Sequence, residues 1–363
     1  MFTKNLLILF YFYEVKIHEK YISRCIQLAK NGLGTTFPNP MVGSVIVHGD
    51  IIIGEGYTSP YGGSHAEVNA INSVKDKALL KEATLYVTLE PCSHYGKTPP
   101  CADLVISHKI PNVVVGILDP HEKVAGQGIQ KLEDAGVHVT IGVLEKECRD
   151  HHKRFLTYYT KKRPYIILKW AETADGFIAP SPHKRNDSPE PYWISNPYSQ
   201  QLVHQWRSQE QAILVGTNTV LTDNPKLNVR HWKGQAPIRI ILDRELKISN
   251  KYHVLDGSVK TIIITACRPN DPFPGIIYEE IDFENNLVPQ ICTILHTHNI
   301  LSVLIEGGAK TLQSFIDTEL WDEARIFRGK NQFGAGLKSP EIHGYLESEK
   351  QIESDTLILL KHD

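Results

Sequence analysis

One histidine, one glutamate and two cysteines have side chains and spacings that suit metal-assisted hydrolysis. His65 and Glu67 are two residues apart, and two Pro-Cys steps downstream supply Cys92 and Cys101. An imidazole and two thiolates give a zinc ion three protein ligands and leave its fourth tetrahedral position open, as in catalytic zinc sites. The sequence therefore predicts one Zn²⁺ ion held by His65, Cys92 and Cys101.

Glu67 is the candidate for moving protons at this predicted zinc ion. Zinc lowers the pKa of bound water from about 15.7 towards about 7, so that hydroxide can add to a ring carbon that bears an amino group. Ammonia leaves readily only when it is protonated, and one carboxylate can carry the proton from water to the departing nitrogen. The H-x-E…P-C pattern is typical of zinc-dependent nucleobase deaminases. We therefore predict deamination with Glu67 as the catalytic residue.

Size, charge and cysteine content restrict the class of protein. A chain of 363 residues is expected to form two domains, and its net charge of −2 gives no overall attraction to nucleic acid. The apolar run before Tyr13 is too short to span a bilayer and lacks a cleavage site, so we expect a poorly ordered extension there. Six cysteines are too few for a disulfide framework. These features predict a cytoplasmic protein that binds neither nucleic acid nor membrane.

Hydrophobic periodicity predicts the elements that position the zinc ligands. Residues His18 to Asn31 have helical spacing, and a β-hairpin is predicted around Gly49. A helix is predicted to begin near His65, and a strand from Leu85 to Leu89 leads to the first Pro-Cys step. Strands then alternate with helices, which indicates an α/β layer with helices on both faces of a sheet.

A charged stretch that ends directly before Pro164 is the predicted boundary between two domains. We assign residues 15–163 to the first domain and 164–363 to the second. Strands and helices alternate again in the second domain, and residues 181–191 are predicted to form an exposed loop rich in proline, serine and charge. Gly307 and Gly308 lie between a predicted strand and a predicted helix, where backbone N–H groups can hold a pyrophosphate.

The spacing of the two zinc-binding cysteines is informative. Common nucleoside and tRNA deaminases have a P-C-x-x-C pattern, whereas eight residues separate Cys92 from Cys101 here. The run PCSHYGKTPPC, with the earlier His-Ala-Glu, resembles the deaminase domain of bifunctional riboflavin-biosynthesis deaminase-reductases. Further matching segments are Pro38-Asn39-Pro40, Val42-Gly43, Thr88-Leu89-Glu90 and Asp119-Pro120.

This resemblance implies a cytidine-deaminase-like three-layer α/β/α fold for the first domain. It also implies a phosphorylated small-molecule substrate, a diaminopyrimidinone that carries ribosylamine 5-phosphate. A histidine and a lysine between the two cysteines can donate hydrogen bonds and positive charge to a phosphate or ring oxygen. The implied substrate-binding residues of the deaminase are Asn39, His94, Lys97 and Asp119.

The second domain resembles the reductase of the same family. The matches include Thr173-Ala174-Asp175-Gly176, Tyr192-Trp193-Ile194-Ser195 and Ile305-Glu306-Gly307-Gly308. They imply a dihydrofolate-reductase-like α/β fold in which NADPH reduces the ribosyl group to a ribityl chain. The implied substrate-binding residues are Lys169, Arg207, Leu227, Arg230 and Glu306. The implied cofactor-binding residues are Ala171, Trp193, Thr219, Asp223 and Gly308.

Two other interpretations remain open at this point. One is a zinc deaminase of a nucleoside or tRNA base, whose C-terminal half serves only assembly. The other is a structural zinc module, which would use four protein ligands, and His94 is the only nearby candidate for a fourth. For the leading interpretation we expect a homo-oligomer with one zinc ion in each deaminase site and NADPH in the reductase.

Overall fold

The computed structural model describes residues 2–95, 99–120, 125–184 and 189–362. The chain forms two compact units, Met1–Lys161 and Lys162–Asp363. Lys97, one of the predicted substrate-binding residues, lies outside the described residues, as do four residues of the predicted loop 181–191. No helix within the described ranges has both the length and the apolar content that crossing a bilayer requires.

The first unit contains one mixed sheet and six α-helices among its described residues. The helices are α1 Phe2–Ala29, α2 Ala66–Ser73, α3 Cys101–Ser107, α4 Gln127–Asp134, α5 Glu145–His151 and α6 Lys153–Lys161. The strands are β1 Gly43–His48, β2 Ile51–Tyr57, β3 Thr84–Leu89, β4 Asn112–Ile117 and β5 His138–Ile141. Short 3₁₀ helices span Lys30–Gly32 and Lys77–Glu82.

The strand order β2-β1-β3-β4-β5 gathers several chain segments at one edge of the first sheet. Strands β3, β4 and β5 are parallel, and Leu89 pairs with Ile117, so the carboxyl ends of β3 and β4 are adjacent. Strand β1 is antiparallel to β3, with Ser44 opposite Val87. The beginning of β1 therefore lies at the same edge as the ends of β3 and β4.

Helices cover both faces of this sheet. A Cβ atom at Gly43 would lie 1.9 Å from the carbonyl oxygen of Cys25 in α1, and one at Gly56 would lie 2.3 Å from the backbone nitrogen of Ala70 in α2. Gly56 pairs with Ser44, the neighbour of Gly43, so the two glycines face opposite sides of the sheet. The predicted three-layer α/β/α arrangement is confirmed.

The first helix begins earlier than the sequence predicts. Its backbone is helical from Phe2, whereas we expected the helix to start at His18, so that prediction is wrong. Residues 1–31 contain no glycine and no proline, so no residue in this segment stops a helix from extending towards the N-terminus. The predicted hairpin, the start of α2 and the strand before Cys92 are confirmed.

The second unit contains a large sheet, a small two-stranded sheet and four α-helices among its described residues. The helices are α7 Pro197–Gln209, α8 Thr217–Asp223, α9 Leu287–Thr297 and α10 Ala309–Asp317, with 3₁₀ helices at Pro182–Lys184 and His253–Leu255. The strands are β6 Tyr165–Glu172, β7 Phe177–Pro180, β8 Ala212–Gly216, β9 Ile238–Leu242, β10 Thr261–Thr265, β11 Ile276–Glu280, β12 Ser302–Glu306, β13 Glu323–Arg328, β14 Gly336–Lys338, β15 Tyr345–Ile352 and β16 Asp355–Lys361.

The large sheet has the strand order β11-β10-β9-β8-β12-β6-β13-β16-β15. The strands from β11 to β13 in this order are parallel, while β16 and β15 form an antiparallel edge. Strand β6 sends Ile166 and Leu168 into the core with α9 and α10, and Tyr165 and Ile167 into the core with α7. This layered mixed sheet confirms the predicted dihydrofolate-reductase-like α/β class.

Candidate active sites

The three predicted zinc ligands converge in the first unit. His65 precedes α2 as its N-cap, Cys92 follows β3, and Cys101 is the first residue of α3. The His65 Nδ1 atom lies 3.6 Å from the Cys92 Sγ atom and 3.4 Å from the Cys101 Sγ atom. A tetrahedral zinc ion with bonds of about 2.0 Å to nitrogen and 2.3 Å to sulfur separates these atoms by about 3.5 Å. The donor set therefore fits Zn²⁺.

The surroundings of Cys92 favour its thiolate form. The backbone N–H group of Cys101 donates a hydrogen bond to the Cys92 Sγ atom at 3.3 Å. A hydrogen bond from the Cys101 side chain, assisted by His65, lowers the pKa of Cys92 to about 4 although burial opposes this shift. Because the thiolate is the form that binds metals, the lowered pKa of Cys92 favours binding of a metal cation at this site.

The cluster provides three ligands. Among the described residues, the imidazole of His65 and the thiols of Cys92 and Cys101 form this cluster, with ligand atoms within 4.8 Å of one another. His94 is exposed and does not belong to this cluster. Three protein ligands are typical of catalytic zinc, whereas structural zinc uses four, so the arrangement does not favour the structural interpretation.

Glu67 lies beside the ligands in the first turn of α2. Its side chain is buried but lines the same cavity as His65 and Cys92. Burial raises the pKa of Glu67 to about 7, because a carboxylate loses solvation in an apolar environment. A group with a pKa near the working pH can both accept and donate a proton.

The cavity at this site has a volume of about 380 Å³, and it contains three predicted substrate-binding residues. Asn39 precedes β1, His94 follows Cys92, and Asp119 follows β4. The strand order explains why these distant segments meet, because the start of β1 and the ends of β3 and β4 share one sheet edge. The structure thus brings Asn39, His94 and Asp119 together with Glu67.

Two aromatic residues of this cavity were not predicted from the sequence. Phe155 and Tyr159 lie one helical turn apart on α6, and their ring centroids are 4.7 Å apart. Aromatic faces pack well on flat heterocycles, so these rings suit a pyrimidine. Their spacing of four residues places them on one face of a helix, but it does not show that this face meets the cavity.

Cys101→Ser is expected to weaken zinc binding by at least about 100-fold, because even residues that only support the ligands contribute about 10–100-fold to metal affinity. The first unit should also unfold at a lower temperature, since metal binding contributes to folding free energy. Metal analysis after dialysis measures the first effect and calorimetry the second. Cys267→Ser is the matched control, because Cys267 is a free exposed thiol of the second unit. Full zinc occupancy in Cys101→Ser would remove this thiolate from the proposed ligand set.

A second cavity, of about 690 Å³, lies in the second unit at the carboxyl ends of its central strands. Lys169 of β6 is the register partner of Glu306 at the end of β12, so these two side chains meet across parallel strands. The structure brings all ten residues predicted for the reductase to this cavity. They are Lys169, Ala171, Trp193, Arg207, Thr219, Asp223, Leu227, Arg230, Glu306 and Gly308.

Glu306 is the centre of a buried charge cluster in this cavity. The Arg207 Nε and Nη2 atoms donate to its two carboxylate oxygens at 2.7 and 2.8 Å, and the Lys169 Nζ atom lies 3.7 Å away. Burial opposes ionisation, but Arg207 and Lys169 outweigh it and lower the pKa of Glu306 to about 2. The carboxylate is therefore charged at neutral pH and fixes the positions of both cations.

His204 is a cavity residue that the sequence analysis missed. Its Nδ1 atom accepts a hydrogen bond from the backbone N–H group of Arg230 at 3.3 Å. Burial lowers the pKa of His204 to about 4, so the imidazole is neutral near pH 7. Because Nδ1 accepts, Nε2 carries the proton and is a hydrogen-bond donor. His204 and Arg207 are three residues apart on α7, and this helical spacing was the available signal.

The Gly307-Gly308 step has a backbone conformation that favours glycine. Both residues have positive φ angles, of 93° and 76°, directly before α10. A Cβ atom at Gly308 would lie 3.3 Å from the Thr219 Oγ1 atom, so a larger residue would narrow the space beside the helix N-terminus. Backbone N–H groups at such a position suit a pyrophosphate, which fits a dinucleotide cofactor.

Comparisons with known proteins agree with this two-site organisation. The family model for the cytidine and deoxycytidylate deaminase zinc-binding region matches residues 15–117, and that for the RibD C-terminal domain matches residues 164–347. The riboflavin biosynthesis protein RibD of Actinobacillus pleuropneumoniae is 47% identical over 350 residues, covering 94% of this chain and 90% of that protein. RibD of Aquifex aeolicus is 38% identical, covering 90% of this chain and 91% of that protein.

Solved structures of related proteins are also similar to this chain over nearly its whole length. The crystal structure of a diaminohydroxyphosphoribosylaminopyrimidine deaminase/5-amino-6-(5-phosphoribosylamino)uracil reductase from Thermotoga maritima is 38% identical, with a TM-score of 0.87. The similarity covers 96% of this chain and 100% of that chain. RibD of Acinetobacter baumannii is 32% identical with a TM-score of 0.87, covering 96% of this chain and 99% of that chain. Both halves of the chain thus have relatives in single two-domain proteins.

Proposed function

The chain belongs to the RibD family of riboflavin biosynthesis proteins, and we infer from this membership how its two cavities divide the chemistry. It is a bifunctional enzyme with a zinc-dependent pyrimidine deaminase followed by a reductase. We assign deamination to the His65–Cys92–Cys101 cavity and reduction to the cavity around Glu306. The observation that carries the assignment is the cluster of three ligands, of which His65 and Cys92 line one cavity together with Glu67.

In the deaminase site, His65, Cys92 and Cys101 would hold the zinc ion. When bound, zinc lowers the pKa of a coordinated water molecule to about 7 and supplies a nucleophile at neutral pH. Glu67 accepts the proton of the attacking water at its carboxylate and delivers it to the amino nitrogen of the substrate. Ammonia then leaves, and a carbonyl oxygen replaces the amino group on the ring. Because the Glu67 side chain is buried, the proton that it carries is shielded from bulk water.

The proposed substrate is the phosphorylated diaminopyrimidinone ribosylamine. Asn39 and Asp119 line the cavity and provide hydrogen-bonding groups for the substrate. Phe155 and Tyr159 provide the aromatic surface on which the pyrimidine ring packs. His94 and Lys97 are the proposed contacts to phosphate or ring oxygen, with Lys97 assigned from the sequence alone.

In the reductase site, NADPH is the proposed hydride donor and the ring-opened ribosyl carbon is the acceptor. Lys169, Arg207 and Arg230 outnumber the carboxylate of Glu306 in the substrate cluster, so a phosphate of charge about −2 is attracted there. The buried side chain of Leu227 forms part of the cavity wall on the side assigned to the substrate. The cofactor side is assigned to Ala171, Trp193, Thr219, Asp223 and Gly308.

We propose domain boundaries of 15–163 and 164–363, a cytoplasmic location and a homo-oligomer. Every cysteine of the chain is a free thiol, which suits a reducing compartment. The net charge of −2 supports a small-molecule substrate rather than nucleic acid. Compact units that divide at Lys161 and Lys162 support the proposed boundary, and sedimentation at equilibrium tests the oligomer.

Ammonia release from two substrates separates this proposal from a nucleoside or tRNA-base deaminase. We expect the zinc-loaded protein to release ammonia from the diaminopyrimidinone ribotide and not from cytidine, because the phosphate and the ribosylamine contacts are absent in cytidine. Chelator treatment should abolish release, and added Zn²⁺ should restore it. Turnover of cytidine without turnover of the ribotide would contradict the proposed substrate.

A further inference from the structure

Glu90 is a buried carboxylate that no step of the proposed chemistry uses. It lies between β3 and Cys92, is only 4% exposed and lines the deaminase cavity. In the described part of the chain it forms no salt bridge with a lysine, arginine or histidine. A buried carboxylate is stable only when other donors satisfy its oxygens. The position of those donors indicates the function of Glu90.

Backbone N–H groups from the segment after β4 satisfy both oxygens of Glu90. The Oε2 atom accepts hydrogen bonds from the N–H groups of Asp119 at 3.1 Å and Gly126 at 3.0 Å. The Oε1 atom accepts from Gly128 at 2.9 Å and, with a longer bond, from Ile129 at 3.4 Å. One charged side chain thereby binds the backbone at Asp119 and the first residues of α4.

The backbone around Glu90 is also closely packed against α4. A Cβ atom at Gly128 would lie 2.1 Å from the carbonyl oxygen of Pro91 and 3.1 Å from the Glu90 Oε1 atom. Only glycine permits this approach, so α4 lies directly against the step that leads to Cys92. A displacement of Glu90 would therefore change the position of Asp119 relative to the zinc ligand Cys92.

The backbone of Glu90 is also hydrogen-bonded to the end of the adjacent strand, β4. The Glu90 N–H group donates to the carbonyl oxygen of Ile117 at 2.9 Å, which continues the pairing of β3 with β4. Asp119 follows two residues after Ile117. The main chain and the side chain of Glu90 thus hold the segment that carries Asp119 at two separate points.

We propose that Glu90 is a positioning residue for deamination, which fixes Asp119 at the distance from the zinc ligands that substrate binding requires. This inference rests on the proposed function, in which Asp119 contacts the substrate. Glu90 itself does not react, because its two oxygens are occupied by backbone donors. It acts through Asp119, and its contribution is therefore to binding of the substrate and not to zinc affinity.

Glu90→Gln tests this role with little change in side-chain volume. The amide keeps one acceptor oxygen but directs an NH₂ group at two backbone N–H donors. We expect KM for the ribotide to rise about tenfold and kcat to change less than about threefold, since a hydrogen-bonded charge has been lost. Zinc content and reduction by the same chain should not change. Glu82→Gln is the matched control, because the Glu82 side chain is 81% exposed in the same unit.

A double-mutant cycle separates positioning from general stability. Asp119→Ala should also raise KM, and the chain with both changes should be no worse than the poorer single variant, because Glu90 acts through Asp119. Independent effects that multiply, a loss of zinc in Glu90→Gln, or a Glu90→Gln chain that does not fold would each overturn the proposal.

Amide hydrogen exchange in the unchanged protein provides a second measurement. The amides of Asp119, Gly126 and Gly128 should exchange slowly because a buried carboxylate accepts their hydrogen bonds, and rapid exchange would contradict the proposed contacts. An unchanged protein that releases no ammonia from the ribotide would instead contradict the proposed function. An active protein with normal KM in Glu90→Gln would contradict the positioning role alone.

Discussion

Glu67→Gln is expected to retain zinc and to lose ammonia release by about 10²–10⁴-fold, the usual contribution of a general acid–base group. The amide has nearly the volume of the carboxylate, but it cannot accept a proton from the attacking water. Glu67 is not one of the three ligands, so metal content should stay the same. Reduction of an already deaminated substrate should also continue, because the Glu306 cavity is formed by the second unit.

The measurement for Glu67→Gln combines ammonia release with metal analysis on the same sample. Glu133→Gln is the matched control, because Glu133 is an exposed carboxylate of α4 in the same unit. Normal ammonia release by Glu67→Gln would refute the proton-transfer role. Loss of both zinc and activity would instead show that this side chain supports the metal.

Arg207→Ala is expected to lower kcat/KM for NADPH-dependent reduction by about 100-fold or more and to leave deamination unchanged. Arg207 makes two short hydrogen bonds to the buried carboxylate of Glu306, and removing one partner of such a pair costs about 3–5 kcal/mol. Glu306 would then lose its paired hydrogen-bond donor, and the positive charge that attracts the substrate phosphate would fall to that of Lys169 and Arg230. Part of the cost should appear as a lower free energy of unfolding of the second unit.

Arg207→Lys distinguishes lost charge from lost geometry, because lysine keeps the positive charge but cannot form the paired hydrogen bonds. We expect an intermediate rate of NADPH oxidation in this variant. Arg268→Ala is the matched control, since the Arg268 side chain is 80% exposed. Unchanged reduction kinetics in Arg207→Ala at a temperature where the variant is folded would show that the reductase site lies elsewhere.

The deaminase cluster could be predicted from the sequence because local patterns fix most of its geometry. His65 is at a helix start, Cys92 follows a strand end, and the second Pro-Cys step starts another helix. Each of these boundaries has a readable signal in periodicity or proline placement. One histidine and two cysteines are then ligands typical of zinc. The fold class of each domain followed from the family resemblance that its own motifs carry.

Residues that reach a site through packing could not be found in this way. Phe155 and Tyr159 enter the deaminase cavity because α6 lies beside it, and the donors to Glu90 come from residues 29 to 39 positions later. Such contacts depend on which helix covers which strand, and periodicity does not specify this. The spacing of His204 from Arg207 likewise indicates a shared helix face, but the hydrogen bond from the Arg230 backbone to its ring depends on the tertiary structure.

The reductase residues were assigned from resemblance and not from spacing. Lys169 and Glu306 are far apart in the sequence, and they meet only because β6 and β12 are parallel neighbours in register. Strand order is a tertiary property that the sequence of one chain does not display. The structure supplies the physical reason for the assignment, since Arg207 and Lys169 both lie against the buried carboxylate of Glu306.

The mass of successive products tests the central claim most directly. Incubation of the zinc-loaded protein with the diaminopyrimidinone ribotide and NADPH should first give a species in which oxygen has replaced one amino group. A species with two additional hydrogens should follow, and Glu67→Gln should give neither. A reduced species that still carries both amino groups, formed before any deaminated one, would contradict the account.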